Sequence, residues 1–244
     1  MHADFDVPFH PVGEWLDRFP WLLAGITHAG PAENPFDLRL IGDTRPAAAD
    51  SRWRAVLEIT GFGAIAHAEQ VHGTRVAVHD DLPRGVHVES RPADGHATST
   101  AGILLAVTVA DCVPVYLVDP KRRIVALLHA GWRGIAGGIL QQGLETLRTL
   151  GSDAVHLEVY LGPAICGDCY EVGPQVFDAL GLRAPSHPMP VDVRAVLVSQ
   201  ALGIGIREGD IAVSEQCTMC GTAGLFSHRG GRSERQAALL GVRP

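Results

Sequence analysis

Three short segments of the 244-residue chain each carry one side chain able to bind a metal: QVHGT with His72, ADCVP with Cys112, and HAGWRG with His129. Each falls at the end of an expected strand, where a loop can aim it into a cleft. Their wide separation in sequence means that the fold must bring them together, which suits a catalytic site better than a structural zinc finger. Two imidazoles and one thiolate leave a tetrahedral zinc with one open position for water or substrate, and zinc can lower the pKa of its water to roughly 7. Asp111, beside Cys112, is placed either to orient a histidine ligand through its second ring nitrogen or to act as a base. The plainer reading stays open on spacing alone. Any one of 12 histidines is most often a surface or hydrogen-bonded residue, and a lone cysteine is most often a small buried apolar group.

Further residues border this constellation. Arg133 follows His129 by four positions at the expected start of a helix, where a guanidinium beside free N–H groups makes a site suited to inorganic phosphate or a ribose hydroxyl network; a surface arginine is the alternative. Gln70 lies on the same strand face as His72 and either binds substrate or satisfies backbone. Cys166-x-x-Cys169 and Cys217-x-x-Cys220 have ligand spacing for a structural four-cysteine zinc site, although the gap between the pairs is longer than in a zinc ribbon. A redox role fits less well, because neither pair opens a helix after a strand.

Other chemistries use the same residues. Two histidines and a cysteine also bind copper, particularly with an axial methionine, so copper-dependent oxidation is one alternative. Against it, no two histidines here are separated by a single residue, as the paired His-x-His motifs of multicopper oxidases require. A second alternative makes Cys112 a nucleophile with a histidine base, in a cysteine–histidine hydrolase. A third is a metal-stabilised binding module without turnover.

The elements that must position these residues are mostly strands. β-Branched and apolar runs predict them at about 21–26, 64–71, 74–79, 103–109, 113–118, 123–129, 155–161 and 210–215. Helices are predicted from about Ile135 to Leu150, where apolar residues recur at three- and four-residue steps before Gly151, and at 174–181 and 192–202. The close succession of 103–109, 113–118 and 123–129 suggests hairpins and an α/β fold with mixed sheets flanked by helices.

Composition sets the outer limits. The chain is 46% hydrophobic, enough for one large core, and no stretch reads as a linker, so residues 1–244 are expected to form a single catalytic domain. A net charge of −7 without a basic cluster argues against a nucleic-acid partner. The N-terminal residues lack the pattern of a secretory signal, and the longest apolar runs fall short of a membrane span. Five cysteines, an odd number, read as thiols or ligands in a reducing compartment, so a cytoplasmic protein is expected, monomeric or homodimeric.

QVHGTRV, ADCVPV, HAGWRG, GPAICGDCYEVG and CTMCGTAGLFSHRGGRSERQ occur in the order seen in the laccase-domain family, also called polyphenol oxidase or peptidoglycan editing factor. The chain resembles that family from about Thr60 onward, and the family's names imply two alternative activities, a copper-dependent polyphenol oxidoreductase (laccase) and a Cys112–histidine amidase that edits a peptidoglycan precursor. The resemblance implies an α/β sandwich, zinc held by His72, Cys112 and His129, and a purine nucleoside phosphorylase acting on adenosine, inosine, guanosine or methylthioadenosine, with adenosine deaminase activity. It also implies cleft positions for Cys169, in CYEVG, and His228, in FSHRG. The sequence departs from the family pattern at His28 of GITHAG, where arginine is common, at Cys166-Gly-Asp-Cys169, at FSHRG in place of FSYRR, and across a diverged segment, 31–55. The zinc-deaminase signature His-x-Glu with Pro-Cys-x-x-Cys is absent.

Overall fold

The computed structural model describes residues 7–41 and 46–244, so residues 42–45 of the diverged 31–55 segment lie outside the described part. Two six-stranded mixed sheets pack face to face. The first runs, in spatial order, Phe9–Pro11, Leu22–Thr27, Gln236–Val242, Ile103–Val109, Ala64–His67 and Gly85–Val88. The second runs Ile211–Val213, Glu158–Leu161, Val113–Asp119, Ile124–Ala130, Gly95–Thr98 and Val76–Val78.

Side chains alternate across a strand, so a strand covered on both faces must be apolar throughout. Val113–Asp119 shows the consequence. Val113, Val115 and Leu117 join the core under helices Ile139–Thr149 and Val193–Gly203, whereas Tyr116 and Val118 face the other sheet. In Ile103–Val109, Leu105 and Val107 meet that inter-sheet core, while Leu104 and Ala106 pack with Trp53 and Val56 of helix Ala49–Thr60. The result is a four-layer sandwich of helix, sheet, sheet and helix.

Several sequence expectations need correction. Ile103–Val109 and Val113–Asp119 do not form a hairpin; the chain crosses from one sheet to the other between them, and only Val113–Asp119 and Ile124–Ala130 pair as a hairpin. Asp111 makes the crossing with φ of +88°, a left-handed conformation unusual for a non-glycine residue. The long helix expected from Ile135 is two helices, Trp132–Gly137 and Ile139–Thr149, separated by Gly138 at φ +86°. Strand Ala64–His67 stops well before His72, which lies in the following loop. Helix Ala49–Thr60 and strands Gly85–Val88, Gly95–Thr98 and Gln236–Val242 were not anticipated. The last, QAALLGV, reads as helix-forming Ala and Leu locally, yet it is held extended by antiparallel neighbours on both sides.

Buried histidines carry a stability consequence. Burial lowers the His67 pKa from 6.5 to about 4, opposed in part by its hydrogen bond with the Ala106 carbonyl at 3.2 Å. The unfolded chain therefore takes up a proton between those values that the folded chain refuses. Stability should be complete above the unfolded value and fall as pH drops toward 4, by about 3 kcal/mol from this residue. Urea unfolding at stepped pH tests this; His67→Phe should flatten the slope, and an unchanged slope would assign it elsewhere.

Candidate metal centre

The fold brings His72, Cys112 and His129 together, their potential ligand atoms all within 4.8 Å of one another. Each arrives by a different route. Cys112 sits at the crossing between sheets, His129 in strand Ile124–Ala130 opposite Pro114, and His72 in the loop after Ala64–His67. His72 holds a left-handed φ of +57°. Its Nε2 lies 3.8 Å from Cys112 Sγ, close to the separation of about 3.5 Å set by tetrahedral Zn–N and Zn–S bonds.

The feature that unites the three is Asp94, a residue with no exposure to solvent. Its carboxylate accepts the backbone N–H groups of Val71, His72 and Gly73 at 3.1, 2.9 and 2.8 Å, fixing the His72 loop. It also accepts Nδ1–H of His129 at 2.8 Å, which leaves Nε2 free to face the cluster. Burial works against this charge, but His129 and the loop N–H groups outweigh it and hold the carboxyl below its usual range.

Cys112 is similarly tuned. Burial opposes ionisation, yet the His129 and His72 imidazoles lower the thiol to about 6, favouring the thiolate that a metal ligand must be. Gly131 preserves the space between ligands, since a Cβ there would meet His72 Cδ2 at 2.7 Å and Cys112 Sγ at 3.0 Å. Donor chemistry, spacing and cradle all fit a tetrahedral ion of the zinc type.

The cluster opens onto a cleft of about 500 Å³, within the range of small-molecule sites. Trp132 and Tyr170 supply aromatic faces; Arg133, Arg229 and Arg235 supply cations; His228 and Gln70 complete the rim. The Arg133 guanidinium lies over Trp132, 4.3 Å from the ring centroid, and that of Arg229 over Tyr170 at 5.3 Å. The helix behind Arg133 is only 6 residues long and begins without a side-chain cap, so the anion-binding potential rests on the converging guanidinium groups.

Three sequence-derived assignments change. Asp111 lines the cleft but does not orient an imidazole: its oxygens accept the Thr218 hydroxyl at 2.6 Å and the Arg229 backbone N–H at 2.7 Å. Asp94 takes the orienting position. In sequence it stands in RPADG, whose Pro, Asp and Gly read as a turn; the one local signal was an acid directly preceding a buried strand. Gln70 spends its amide on Thr108, accepting from its N–H and hydroxyl and donating to its carbonyl, so it meets the cleft as a fixed wall. Cys169 does not line the cleft; its thiol joins Cys166, Cys217 and Cys220 in a separate cluster.

A family model described as multi-copper polyphenol oxidoreductase laccase matches residues 29–243. Among curated relatives, purine nucleoside phosphorylase YlmD of Geobacillus stearothermophilus is 35% identical over 252 residues, covering 92% of each chain. Adenosine deaminase RL5, from an unknown prokaryotic organism, is 31% identical over 206 residues, covering 78% of this chain and 79% of its own. The crystal structure of YlmD from Geobacillus stearothermophilus superposes with a TM-score of 0.87 over 99% of this chain and 98% of that one, at 28% identity in the structural alignment.

Proposed function

Because this chain belongs to the family described as multi-copper polyphenol oxidoreductase laccase, and its similar relatives are named for purine nucleosides, we propose that it is a zinc-dependent purine nucleoside phosphorylase that also deaminates adenosine. The observation that carries this reading is a three-donor cluster of His72, Cys112 and His129 opening onto a cleft that holds both aromatic faces and guanidinium groups. Two imidazoles and a thiolate favour zinc over harder ions. Held by His72, Cys112 and His129, zinc would supply a Lewis acid to the cleft.

The chain's own residues perform the rest. Trp132 and Tyr170 offer stacking surfaces for a purine, while Arg133, Arg229 and Arg235 hold phosphate by charge-assisted hydrogen bonds. In phosphorolysis a phosphate oxygen forms a bond to the anomeric carbon as the glycosidic bond breaks, and the electron pair leaves with the purine, which takes up a proton. In deamination water adds at the ring carbon bearing the amine, and ammonia departs with the transferred proton. Asp111, held in place by Thr218 and the Arg229 backbone, is the proton carrier assigned to both. His228 borders the substrate from the open side. The whole chain acts as one catalytic domain on small molecules.

The deciding experiment incubates metal-assayed protein with adenosine, with and without phosphate. Adenine formed only with phosphate establishes phosphorolysis, inosine formed without it establishes deamination, and neither product rejects the reading. Stoichiometric copper in protein purified without added metal, with an intense blue absorption, would favour the oxidoreductase instead. Arg133→Met is expected to raise KM for phosphate roughly 10- to 100-fold, the value of a hydrogen bond to a charged group; the KM for nucleoside should change far less. An unaltered phosphate KM would move that role to Arg229 and Arg235.

One observation favours a second reading. A cysteine thiol lowered to about 6 beside an imidazole is also an activated nucleophile, as an amidase would need. If a chelator leaves turnover intact while a thiol alkylator abolishes it, Cys112 attacks rather than coordinates.

A further inference from the structure

Four of the five cysteines lie away from the cleft cluster, in two Cys-x-x-Cys segments far apart in sequence. The fold joins them through a parallel bridge between Ala164 and Cys217, tightened by the Thr218 N–H donating to the Ala164 carbonyl at 3.1 Å. Cys166 and Cys169 bracket a 3₁₀ turn, and Cys217 and Cys220 bracket a second tight turn. All four sulfurs lie within 4.8 Å of one another.

The spacing has chemical meaning. Cys166 Sγ and Cys220 Sγ are 3.8 Å apart, and a tetrahedron of thiolates with Zn–S bonds of 2.3 Å has edges of about 3.8 Å. Three backbone N–H groups converge on one sulfur: those of Cys166, Met219 and Cys220 lie 3.3, 3.4 and 3.5 Å from Cys217 Sγ. Such donors disperse negative charge on a coordinating thiolate. The second turn is closed by Gly221, whose N–H donates to the Cys217 carbonyl at 3.1 Å and where a Cβ would come within 2.3 Å of that oxygen. Only glycine fits a turn wound so closely around its first cysteine.

We propose that Cys166, Cys169, Cys217 and Cys220 hold a second metal ion, a structural zinc bound by four thiolates and closed to substrate. The inference stands on this cluster's geometry and is independent of the proposed reaction. The ion pins two segments that build the cleft wall. Tyr170 follows Cys169 directly and lines the cleft. Thr218 follows Cys217 and donates its hydroxyl to Asp111, while the Ile165 N–H donates to the Asp111 carbonyl at 3.1 Å. A closed tetrathiolate site thus positions the crossing on which Cys112 sits.

The test is metal counting on the full-length protein, expressed with zinc and purified under reducing conditions. Two zinc ions per chain are expected. Cys220→Ser should lose one and keep the ion at His72, Cys112 and His129; His129→Ala should do the reverse. Cobalt substitution of the wild-type protein provides a readout that needs no mutation: intense thiolate-to-cobalt charge-transfer absorption of the strength given by four sulfurs is expected, and in the variants His129→Ala should retain it while Cys220→Ser should lose most of it. The proposal is overturned if wild-type protein binds at most one ion while four thiols react freely with a thiol reagent in the native state. Disulfides in the reduced preparation, or iron in place of zinc after growth in zinc-supplemented medium, would overturn it equally.

Discussion

Asp94→Asn is expected to lower zinc affinity at the cleft cluster about 10- to 100-fold, the usual consequence of losing the partner that orients a histidine ligand. The reason lies in hydrogen-bond polarity. The native carboxylate accepts from four N–H groups at once, three from the His72 loop and one from His129. An amide of the same shape has one oxygen to accept with, and its NH2 must face donors. Whichever way it flips, two contacts become donor against donor. Isothermal titration of zinc into stripped protein measures the affinity, and turnover at saturating zinc separates metal loss from a misoriented ligand. Native affinity in the variant would show that the loop and His129 hold their positions without the charge, and would remove Asp94 from the site.

The second large effect concerns Cys112. Cys112→Ser replaces a thiolate with a hydroxyl that remains protonated at neutral pH and is a poor zinc ligand. Loss of a Lewis acid worth several kcal/mol should reduce kcat/KM by roughly 10³-fold or more. Both a ligand and a nucleophile would be damaged by this change, so the metal content decides. The zinc reading requires that the cleft ion be lost together with activity. A serine variant that keeps its full metal complement but not its turnover would identify Cys112 as the attacking group.

How far these residues were legible in advance depended on whether the signal was local. Ile103–Val109, Val113–Asp119 and Ile124–Ala130 are buried on both faces and announced themselves as unbroken apolar runs. The crossing at Asp111 was invisible for the same reason: strands buried on both sides look alike whether they are neighbours in one sheet or lie in two. His72, Cys112 and His129 stood out because each is set in a short distinctive motif. Asp94 did not, since its four partners come from segments 21 to 35 residues away and nothing in RPADG reports them. Gly138 split a helix that its apolar periodicity alone would have continued, because the backbone there turns left-handed. The cysteine pairs had the right internal spacing, and only the parallel bridge at Ala164 and Cys217 revealed that they meet.

The crossing between the sheets has a thermodynamic consequence. Cys112 occupies the point where the chain leaves one sheet for the other, while His129 belongs to the second sheet and His72 follows the first. No unfolded chain can present these three donors together, so nearly all of an ion's binding free energy is returned as resistance to unfolding. With free zinc at a thousand times its dissociation constant, that linkage amounts to about 4 kcal/mol. An ion held by the three donors would therefore act as a clasp across the sandwich. Changes made for catalysis at the ligands will be felt as changes in the melting temperature of the whole protein.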